Sequence, residues 1–557
     1  MTLNDAQRAA IGLDHPMICV MSGPGSGKTL VATERVKRIE GKTVVLTYTN
    51  AAAREFRSRI EAGQTIHKVA ADPKVAFCGT LHSYCFRLLR KHGHILGYHQ
   101  GLSILPEQSK LRLLEQIRNK LGYKNKVSIE QLQKHSPSKL RTECDEIIRD
   151  YRFELRSSNL VDYDLILDEA AKLLMFDPVK HDAAIDHLIV DEAQDSAGID
   201  WVIYGLMPTK NHFFIGDIDQ AIFEFRKATP EHMLGIQGAQ YMALELNYRC
   251  RSAICAAANR LIRHNKVRYD KETITARTGE VGYVDATGYE DQWAEAEELV
   301  RILRVTAPHS NAVLCRTNYV TNFLRQYLEE RGFKVAYDRP VFLPPDWNRA
   351  MLLIGMGLSP YNEGLAEQYL LLDHPPDLVH RWKLEAKANG TYLSDRVSLR
   401  TAPPVIGSGL MRQAEIAVQS SLRFLANHGV SNQTITQIEE LRREMPEDAT
   451  LGDLLQELNA KHWGKEVRGD GIFVGTIHSA KGREFDHVFL PAFEDFNMTN
   501  IEEERRLAFV ALTRARYSVR ISWAKRRKPE WGEIIDCKPS RFLKEIMPEN
   551  EEDQCRY

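Results

Sequence analysis

The sequence lacks the patterns typical of secreted, membrane-spanning and zinc-stabilised proteins. Its nine cysteines are an odd number and form no CxxC pair, which argues against a disulfide framework and against a zinc ribbon. The histidines show no HxxxH spacing that would suit a metal site. No run of about 18 apolar residues occurs, and the N-terminal MTLNDAQRAAIG does not resemble a signal peptide. These absences predict a cytoplasmic protein with no membrane partner and no structural metal.

The chain also lacks an excess of charge of either sign. Its formal net charge at pH 7 is −1, so no global field attracts it to nucleic acid or to an anionic membrane. Any contact with nucleic acid must therefore come from local patches. Hydrophobic residues make up 43% and charged residues 27% of the 557 residues. This composition suits packed cores, and the length predicts several domains of about 100–200 residues each.

What the sequence does contain is a repeated alternation of apolar runs and helix-forming segments. The run MICVM, from Met17, is followed by the glycine-rich SGPGSGKT and then by LVATERVKRIE, an order that predicts strand, loop and helix. TVVLTY and NAAAREFRSRI repeat the strand and helix, and DHLIV before Asp191 and HFFI before Gly216 suit buried strands. The pattern predicts a parallel sheet covered by helices on both faces.

A second α/β region begins near Gly282, where GYVDAT and NAVLCRTN predict strands and FLRQYLEERG predicts a helix ended by glycine. Long charged segments such as EQSKLRLLEQIRNKL predict helical insertions, and the acidic run EEER at Glu502 predicts a helix start. The fold class is therefore α/β, with two cores that each carry a mainly helical insertion. The predicted parts are 1–85 and 186–268 for the first core, 86–185 for its insertion, 269–345 and 463–557 for the second core, and 346–462 for its insertion.

The stretch between the first predicted strand and helix has the form of a phosphate-binding loop. It consists of Ser22, Gly23, Pro24, Gly25, Ser26, Gly27, Lys28 and Thr29. Glycines let successive backbone N–H groups converge on phosphate oxygens, and the helix N-terminus adds positive potential. Lys28 would reach the β- and γ-phosphates of ATP, and the Thr29 hydroxyl would bind Mg²⁺. Ser22 stands where the strict pattern has glycine, but the strand and helix on either side support the assignment.

Two adjacent carboxylates, Asp191 and Glu192, follow the apolar run HLIV. A strand there would deliver both side chains to the edge of the sheet that also carries the phosphate-binding loop. Hydrolysis of ATP needs one carboxylate to hold Mg²⁺ and another to orient and deprotonate the attacking water. We assign these tasks to Asp191 and Glu192 respectively. An acidic pair after an apolar run is by itself more often a helix cap or a solvated turn, and the nearby loop reverses that balance.

The ordered set of motifs resembles the UvrD/Rep family of superfamily 1 DNA helicases. The resemblance extends from Leu3 almost to the C-terminus. The matching segments are LNDAQRAAI, VVLTYTNAAAREF, GTLHSYCFRLLR, GDIDQAIFEFRKA, LNYRC, GTIHSAKGREFDHVFLP, EEERRLAFVALTRAR and PSRFL. The resemblance implies two RecA-like P-loop NTPase cores, with ATP and Mg²⁺ bound in the cleft between them.

The resemblance also implies roles in catalysis and nucleotide binding. Gln220 would sense the γ-phosphate, and Arg249 and Arg514 would act as arginine fingers, fixed cations that stabilise charge on the transferring phosphoryl group. For the rest of the nucleotide, Gln7 would contact the adenine edge, Tyr248 would stack on adenine, and Glu484 would contact the ribose. ATP would then hold the two cores together, and its hydrolysis would release them.

Single-stranded DNA is gripped through phosphate contacts and through aromatic rings on which bases stack. The resemblance makes Phe225 the stacking candidate, with Phe223 two residues before it, where the family usually has tryptophan and tyrosine. An isolated aromatic residue such as Phe223 is more often a core residue than a stacking platform, and His82 and His478 alone would be structural. The other expected DNA contacts are Tyr48, Thr49, Asn50, Thr80, His82, Ser83, Thr476 and His478.

The resemblance therefore implies an ATP-dependent helicase that translocates on single-stranded DNA and opens forks, in DNA repair, replication or recombination. The 3′–5′ direction rests wholly on the resemblance, because residue chemistry alone does not fix the direction of movement. The second insertion is reduced relative to the family, which leaves translocation secure and puts processive unwinding in question. The alternative function is a DNA-stimulated ATPase that serves as sensor or regulatory subunit beside a nuclease, as in Gabija-type anti-phage defence. Stacking and phosphate contacts also suit RNA, but the resemblance favours DNA.

Replacing Phe225 by alanine tests the stacking assignment. We expect Phe225→Ala to reduce the distance moved per ATP far more than ATP hydrolysis itself, because base stacking on an aromatic ring contributes about 1–3 kcal/mol per base. The measurement compares DNA-stimulated ATP hydrolysis with fork opening. Unchanged hydrolysis together with unchanged fork opening would make Phe225 a core residue.

Overall fold

The computed structural model divides into two compact units. Unit 1 comprises Met1–Thr80, Ala184–Arg339 and Glu466–Tyr557, and unit 2 comprises Leu81–Ala183 and Pro340–Lys465. The structure describes residues 3–61, 75–99, 102–133, 142–224, 227–306, 310–340, 346–358, 363–374, 376–388, 425–426, 429–444, 454, 458, 465–468, 471–495, 500–529 and 532–547. The finer division into four parts remains a prediction.

A six-stranded sheet forms the first half of unit 1, and every pairing in it is parallel. Its strands, in spatial order, are Val75–Thr80, Thr43–Thr47, Ile185–Asp191, Thr209–Gly216, Met17–Ser22 and Gln240–Leu244. The central strands are continuous apolar runs because both faces of the sheet are covered. All five residues of Thr43–Thr47, for example, are buried.

Helices on both faces of this first sheet close its core. They are Asp5–Gly12, Lys28–Arg38, Asn50–Glu61, Gly198–Leu206 and Pro230–Leu234. Phe56, Val31 and Ile18 are fully buried in one cluster between the helices and the strands. Burying a side chain of this size stabilises the fold by about 1.5–3 kcal/mol.

An eight-stranded sheet forms the second half of unit 1. Its main path, in spatial order, is Tyr283–Asp291, Ala515–Arg527, Phe485–Leu490, Asn311–Cys315, Ile472–Thr476, Val335–Pro340 and Lys465–Arg468, and Ile535–Asp536 pairs antiparallel with Ala515–Arg527. The pairings from Tyr283–Asp291 to Val335–Pro340 are all parallel. A short parallel pair, Leu246–Asn247 with Ile274–Thr275, stands apart.

The helices of the second sheet are Ser252–Ile262, Gln292–Leu303, Asn318–Glu330, Ile501–Leu512 and Phe542–Ile546. The predicted glycine end of the third of these is confirmed, since Gly332 follows it with φ +82°. The predicted helix start at the EEER run is also confirmed, because Asn500 caps the helix Ile501–Leu512. The α/β prediction, with two parallel RecA-like sheets flanked by helices, is therefore confirmed.

Unit 2 is mainly helical. Its helices are Leu81–His92, Glu107–Lys120, Ile129–Gln133, Thr142–Ser157, Tyr163–Leu173, Asp177–Ala183, Trp347–Leu358, Glu363–Leu370, Pro376–Ala388 and Asn432–Glu444, with one short strand pair, Ser103–Ile104 and Leu160–Val161. The helix Leu81–His92 runs across the boundary predicted at residue 85. In the described part of the chain, no helix is both long and apolar enough to span a membrane.

A buried ion cluster ties the last long strand of the second sheet to its neighbours. Arg527 donates from Nη2 to Glu295 at 2.5 Å and to Glu494 at 2.6 Å, and from Nε to Glu494 at 2.8 Å. The Arg527 side chain is 6% exposed and the two carboxylates at most 2%. Burial raises the pKa of Glu494, even though Arg527 opposes that shift. Removing the cation would leave two carboxylates desolvated without a partner.

We expect Arg527→Met to lower the free energy of unfolding by about 3 kcal/mol, because it leaves the buried carboxylates of Glu295 and Glu494 without a cation. The neighbouring Arg526 provides a matched control, since its side chain is 55% exposed and lies 4.0 Å from Asp291. Arg526→Met should cost less than about 1 kcal/mol. Urea unfolding of the two variants measures the difference, and equal losses would contradict the assigned role of the cluster.

Candidate active site

The phosphate-binding loop lies between the strand Met17–Ser22 and the helix Lys28–Arg38, as predicted. Gly25 and Gly27 adopt φ values of +62° and +79°, a conformation that side chains disfavour. A Cβ atom at Gly25 would lie 2.8 Å from the Cβ of Arg249. Glycine is therefore required at Gly25 for both its backbone conformation and its close approach to Arg249.

Ser22, the departure from the strict loop pattern, is fully buried. Its hydroxyl donates to the carbonyl of Gly216 at 2.8 Å, on the adjacent strand. The Ser26 hydroxyl donates to the carbonyl of Gly23 at 2.8 Å and closes the loop on itself. The serine that weakened the sequence match thus joins the loop to the next strand of the sheet.

Asp191 ends the strand Ile185–Asp191 and faces the loop. The Thr29 hydroxyl donates to its Oδ2 at 3.2 Å. Burial, followed by the charge of Glu192, raises the pKa of Asp191 to about 7. A hydroxyl and a carboxylate brought together are oxygen ligands of the type that Mg²⁺ prefers, so these residues fit the predicted metal. A bound cation would also compensate the negative charge that burial disfavours.

Glu192 has φ +55°, which is uncommon outside glycine. The Gln194 amide donates to its Oε2 at 2.7 Å, and Lys28 Nζ lies 4.0 Å from its Oε1. Burial alone would raise the pKa of Glu192, but Lys28 and Lys481 lower it overall. The Glu192 carboxylate is therefore held ionised, as a general base must be before it accepts a proton.

Gln194 positions the Glu192 carboxylate, a role that sequence reasoning missed. It is 1% exposed, and its Oε1 accepts a hydrogen bond from the backbone N–H of Asp217 at 2.9 Å while its amide holds Glu192. A Cβ atom at Gly216 would lie 2.2 Å from this Oε1. The signal for Gln194 is present only in the tertiary structure, where a glycine on the next strand leaves room for it.

Gln220 and Arg514 bring the two sheets of unit 1 together. Arg514 Nη2 donates to the side-chain oxygen of Gln220 at 2.7 Å, and the Gln220 amide donates to Asp217. Asp217 in turn accepts from the buried Lys271 at 2.9 Å. Burial, followed by the charge of Arg249, lowers the pKa of Arg514 to about 9. The side chain still carries its positive charge at neutral pH.

Arg249, the other predicted arginine finger, contacts Glu484. Its Nε donates to the Glu484 carboxylate at 2.7 Å, and Arg516 donates to the same carboxylate. Burial opposes ionisation of Glu484, but Arg516 and Arg249 lower its pKa overall. Glu484, which is predicted to contact the ribose, is thus an ionised carboxylate bonded to both Arg249 and Arg516.

Gln7 begins a second set of contacts around the loop. Its amide donates to the carbonyl of Ser26 at 2.9 Å, and its Oε1 accepts from the backbone N–H of Asn4 at 3.0 Å. The Asn4 side chain donates to the Tyr248 hydroxyl at 2.8 Å, and the Tyr248 N–H donates to the carbonyl of Gly25 at 3.0 Å. The two residues predicted to contact adenine are therefore linked through Asn4, which sequence reasoning missed.

Two of the predicted DNA-contacting aromatic residues lie against each other. The rings of Tyr48 and Phe223 stack with centroids 5.4 Å apart. Lys481 Nζ lies 4.6 Å from the centre of the Phe223 ring and 2.7 Å from both oxygens of Asp195. Lys481 also donates to the carbonyl of Gln220 at 2.9 Å. This lysine, which the motif comparison had not singled out, joins the second sheet to the predicted ATP and DNA residues.

The other predicted DNA contacts lie at or just after the carboxyl ends of parallel strands, where open α/β sheets bind ligands. Tyr48, Thr49 and Asn50 follow the strand Thr43–Thr47, Thr80 ends Val75–Thr80, and Thr476 ends Ile472–Thr476 with His478 in the turn after it. His82 and Ser83 lie in the first turn of the unit 2 helix Leu81–His92, and the His82 ring contacts the Tyr163 ring edge-on at 5.4 Å. Phe225 lies outside the described residues. The roles of all these residues remain predictions.

Comparison with protein families matches two regions of the chain. Residues 3–239 match the model of the UvrD/REP helicase N-terminal domain, and residues 431–526 match the UvrD-like helicase C-terminal domain. Together the two matches span more than half of the chain. The first contains the phosphate-binding loop, Asp191 and Glu192, and the second contains Glu484 and Arg514.

Curated relatives align along nearly the whole chain. ATP-dependent DNA helicase UvrD1 of Mycobacterium tuberculosis is 25% identical over 664 residues, covering 98% of this chain and 85% of the relative. PcrA of Leuconostoc citreum is 26% identical, with 98% and 85% coverage, and Rep of Salmonella typhimurium is 24% identical, with 98% and 94% coverage. These alignments are longer than the chain, so residues of the relatives face gaps in it.

The contact between Gly216 and Gln194 gives a test of how Glu192 is held. We expect Gly216→Ala to lower kcat for ATP by about tenfold or more, because the new methyl group displaces the Gln194 side chain and loosens Glu192. Gly205→Ala is the matched control, since a Cβ atom there meets nothing within 4 Å. Steady-state ATP hydrolysis is measured for both. An unchanged kcat in Gly216→Ala would show that Glu192 does not depend on Gln194.

Proposed function

Because the chain belongs to the UvrD/Rep family of ATP-dependent DNA helicases, we propose that it is an ATP-driven motor that moves 3′ to 5′ along single-stranded DNA and opens forks. The observation that carries the proposal is the contact between Arg514 of the second sheet and Gln220 of the first, at 2.7 Å. A phosphate sensor joined to an arginine of the other sheet is the arrangement a motor needs, since chemistry on one sheet then changes a contact with the other.

In the proposed reaction, Lys28 binds the β- and γ-phosphates, and Glu192 takes a proton from the attacking water. Thr29 and Asp191 would hold Mg²⁺, which neutralises charge on the phosphate oxygens. The pKa of Glu192 is lowered and that of Asp191 is raised. Glu192 therefore stays ionised and can accept the proton, while a bound Mg²⁺ would stabilise the ionised form of Asp191. Gln194 keeps the base oriented throughout the reaction.

Arg249 and Arg514 supply positive charge to the transferring phosphoryl group in this proposal. Arg514 is nearly fully buried, so its charge acts in a medium of low dielectric and is worth more than in water. Arg249 pairs with Glu484, and a ribose bound at Glu484 would compete with that pair. Nucleotide binding would then release Arg249 toward the phosphates and draw the two sheets together.

The proposed DNA track follows the carboxyl ends of the strands, over the stacked pair of Tyr48 and Phe223. Aromatic faces bind bases without regard to sequence, which suits a motor that must step along any strand. Lys481 contacts both the Phe223 ring and the carbonyl of Gln220. A displacement of Gln220 after loss of the γ-phosphate would therefore move Lys481 and change its contact with the Phe223 ring.

The polarity and a role in repair, replication or recombination are proposed by analogy with the family. The test is fork unwinding by the purified chain with ATP and Mg²⁺, on duplexes that carry a 3′ tail, a 5′ tail or no tail. We expect the 3′-tailed duplex alone to open. Opening of the 5′-tailed duplex would contradict the polarity, and DNA-stimulated hydrolysis without any opening would favour the regulatory subunit of a nuclease complex.

Two variants serve as controls in the same assay. Lys28→Ala should abolish hydrolysis and unwinding, because the phosphate contact is lost. Glu192→Gln should bind ATP and hold DNA tightly while turning over at least about a hundredfold more slowly, as expected when a general base is removed. Normal turnover in Glu192→Gln would overturn the assignment of the base.

A further inference from the structure

Glu224 directly follows Phe223 in the chain, and its side chain and backbone N–H bond to the second sheet's helix Ile501–Leu512 and the residue that caps it. Its Oε1 accepts from Arg506 Nη1 at 3.1 Å, and its Oε2 accepts from the Asn500 amide. Its backbone N–H donates to Glu503 at 3.3 Å. Glu224 is thus held on its side chain and its backbone by three residues of one helix terminus.

That helix terminus is itself firmly anchored. The Asn500 side chain caps the helix by accepting from the Glu503 N–H at 3.3 Å. The Glu502 carboxylate accepts from the N–H groups of Lys266 and Val267 at 3.0 and 3.3 Å. Further along the helix, Arg505 pairs with Glu545 at 2.7 Å and Glu504 with Arg316 at 2.5 Å. These contacts fix the start of the helix to several other elements of the second half of unit 1.

On the other side of Glu224, the chain leads directly to the proposed ATP and DNA residues. Phe223 stacks on Tyr48, and Gln220, three residues earlier, is bound to Arg514. The segment from Gln220 to Glu224 is therefore attached to the second sheet at both ends, with the aromatic ring near its end. A shift of the helix Ile501–Leu512 relative to the first sheet would pull on the ring through Glu224.

We propose that Glu224 is a positioning residue that sets the Phe223 ring against Tyr48 through its contacts with Asn500, Glu503 and Arg506. The inference rests on the proposed DNA-motor function and adds to the contacts of Arg514 and Lys481 a further attachment of the aromatic segment. It gives the second sheet a mechanical connection to the DNA-contacting ring that is independent of the Arg514–Gln220 contact.

The direction of the change in DNA binding distinguishes a positioning role of Glu224 from a purely electrostatic one. Glu224 is negatively charged, so its removal would strengthen binding of polyanionic DNA if charge alone mattered. Loss of ring positioning predicts the opposite, because a displaced ring no longer offers its face to a base. Glu224→Ala is therefore expected to weaken the response to DNA in spite of the more favourable charge.

The experiment measures ATP hydrolysis against the concentration of oligo(dT) for the full chain and for Glu224→Ala. We expect the oligo(dT) concentration for half-maximal stimulation to rise about tenfold, as partial loss of one stacking contact implies. The DNA-free rate and the KM for ATP should stay within about twofold, since the hydrogen bonds of Glu224 to Asn500, Glu503 and Arg506 do not involve the phosphate-binding loop. Glu224→Gln should recover part of the loss, because its amide oxygen still accepts one hydrogen bond.

Glu272→Ala provides the matched control, since Glu272 forms an exposed ion pair with Arg263 in the same unit. It should leave every parameter unchanged. An unshifted or lowered half-maximal concentration in Glu224→Ala, or a parallel fall in the DNA-free rate, would overturn the inference. If Glu224→Ala does not fold, Glu224→Gln alone must show a smaller rise in the same direction. A wild-type chain that DNA does not stimulate would instead overturn the proposed function, and the inference with it.

Discussion

Buried negative charge at the edge of the first sheet is balanced by cations that come from several parts of the chain. Asp195 is 4% exposed and is paired with Lys481 of the second sheet, while Asp217 is paired with Lys271. A desolvated carboxylate without a partner is costly. The first sheet with its loops is therefore an incomplete structure by itself, and the second sheet supplies part of the charge that makes it stable. Lys481 and Asp217 also bond to Gln220. The same interactions therefore contribute both to stability and to the proposed coupling.

The sequence predicted the parts of the site that are encoded locally. The phosphate-binding loop, the carboxylates after HLIV and the alternation of strands with helices depend on short-range periodicity and spacing, and the two parallel sheets followed from them. Ser22 shows the limit of this reasoning: it weakened the motif match, yet its hydroxyl bonds to Gly216. A pattern of residue types cannot show a hydrogen bond between strands that are almost 200 residues apart in the chain.

The residues that sequence reasoning missed are those whose partners are distant in the chain. Gln194 bonds to Asp217 and Lys481 to Asp195, and Asn4 bonds to Tyr248. Each has an ordinary residue type in an ordinary local setting, so composition and spacing give no signal for it. The helix Leu81–His92 likewise continues across residue 85, where the sequence analysis placed a boundary, because helix assignment from pattern does not reveal where a helix begins to within a few residues.

Strand order in the first sheet has a consequence for the rigidity of the predicted ATP site. The loops that carry Lys28, Glu192 and Gln220 leave three neighbouring strands, Met17–Ser22, Ile185–Asp191 and Thr209–Gly216, with the last of these in the middle. Adjacent parallel strands joined by ladder hydrogen bonds resist shear, so the three loops are fixed to a common base and cannot easily be forced apart. The two sheets, by contrast, are joined in this region by individual side-chain contacts, such as Arg514 with Gln220 and Lys481 with Asp195. A change at the phosphates would therefore alter these few contacts more readily than the spacing of the three loops.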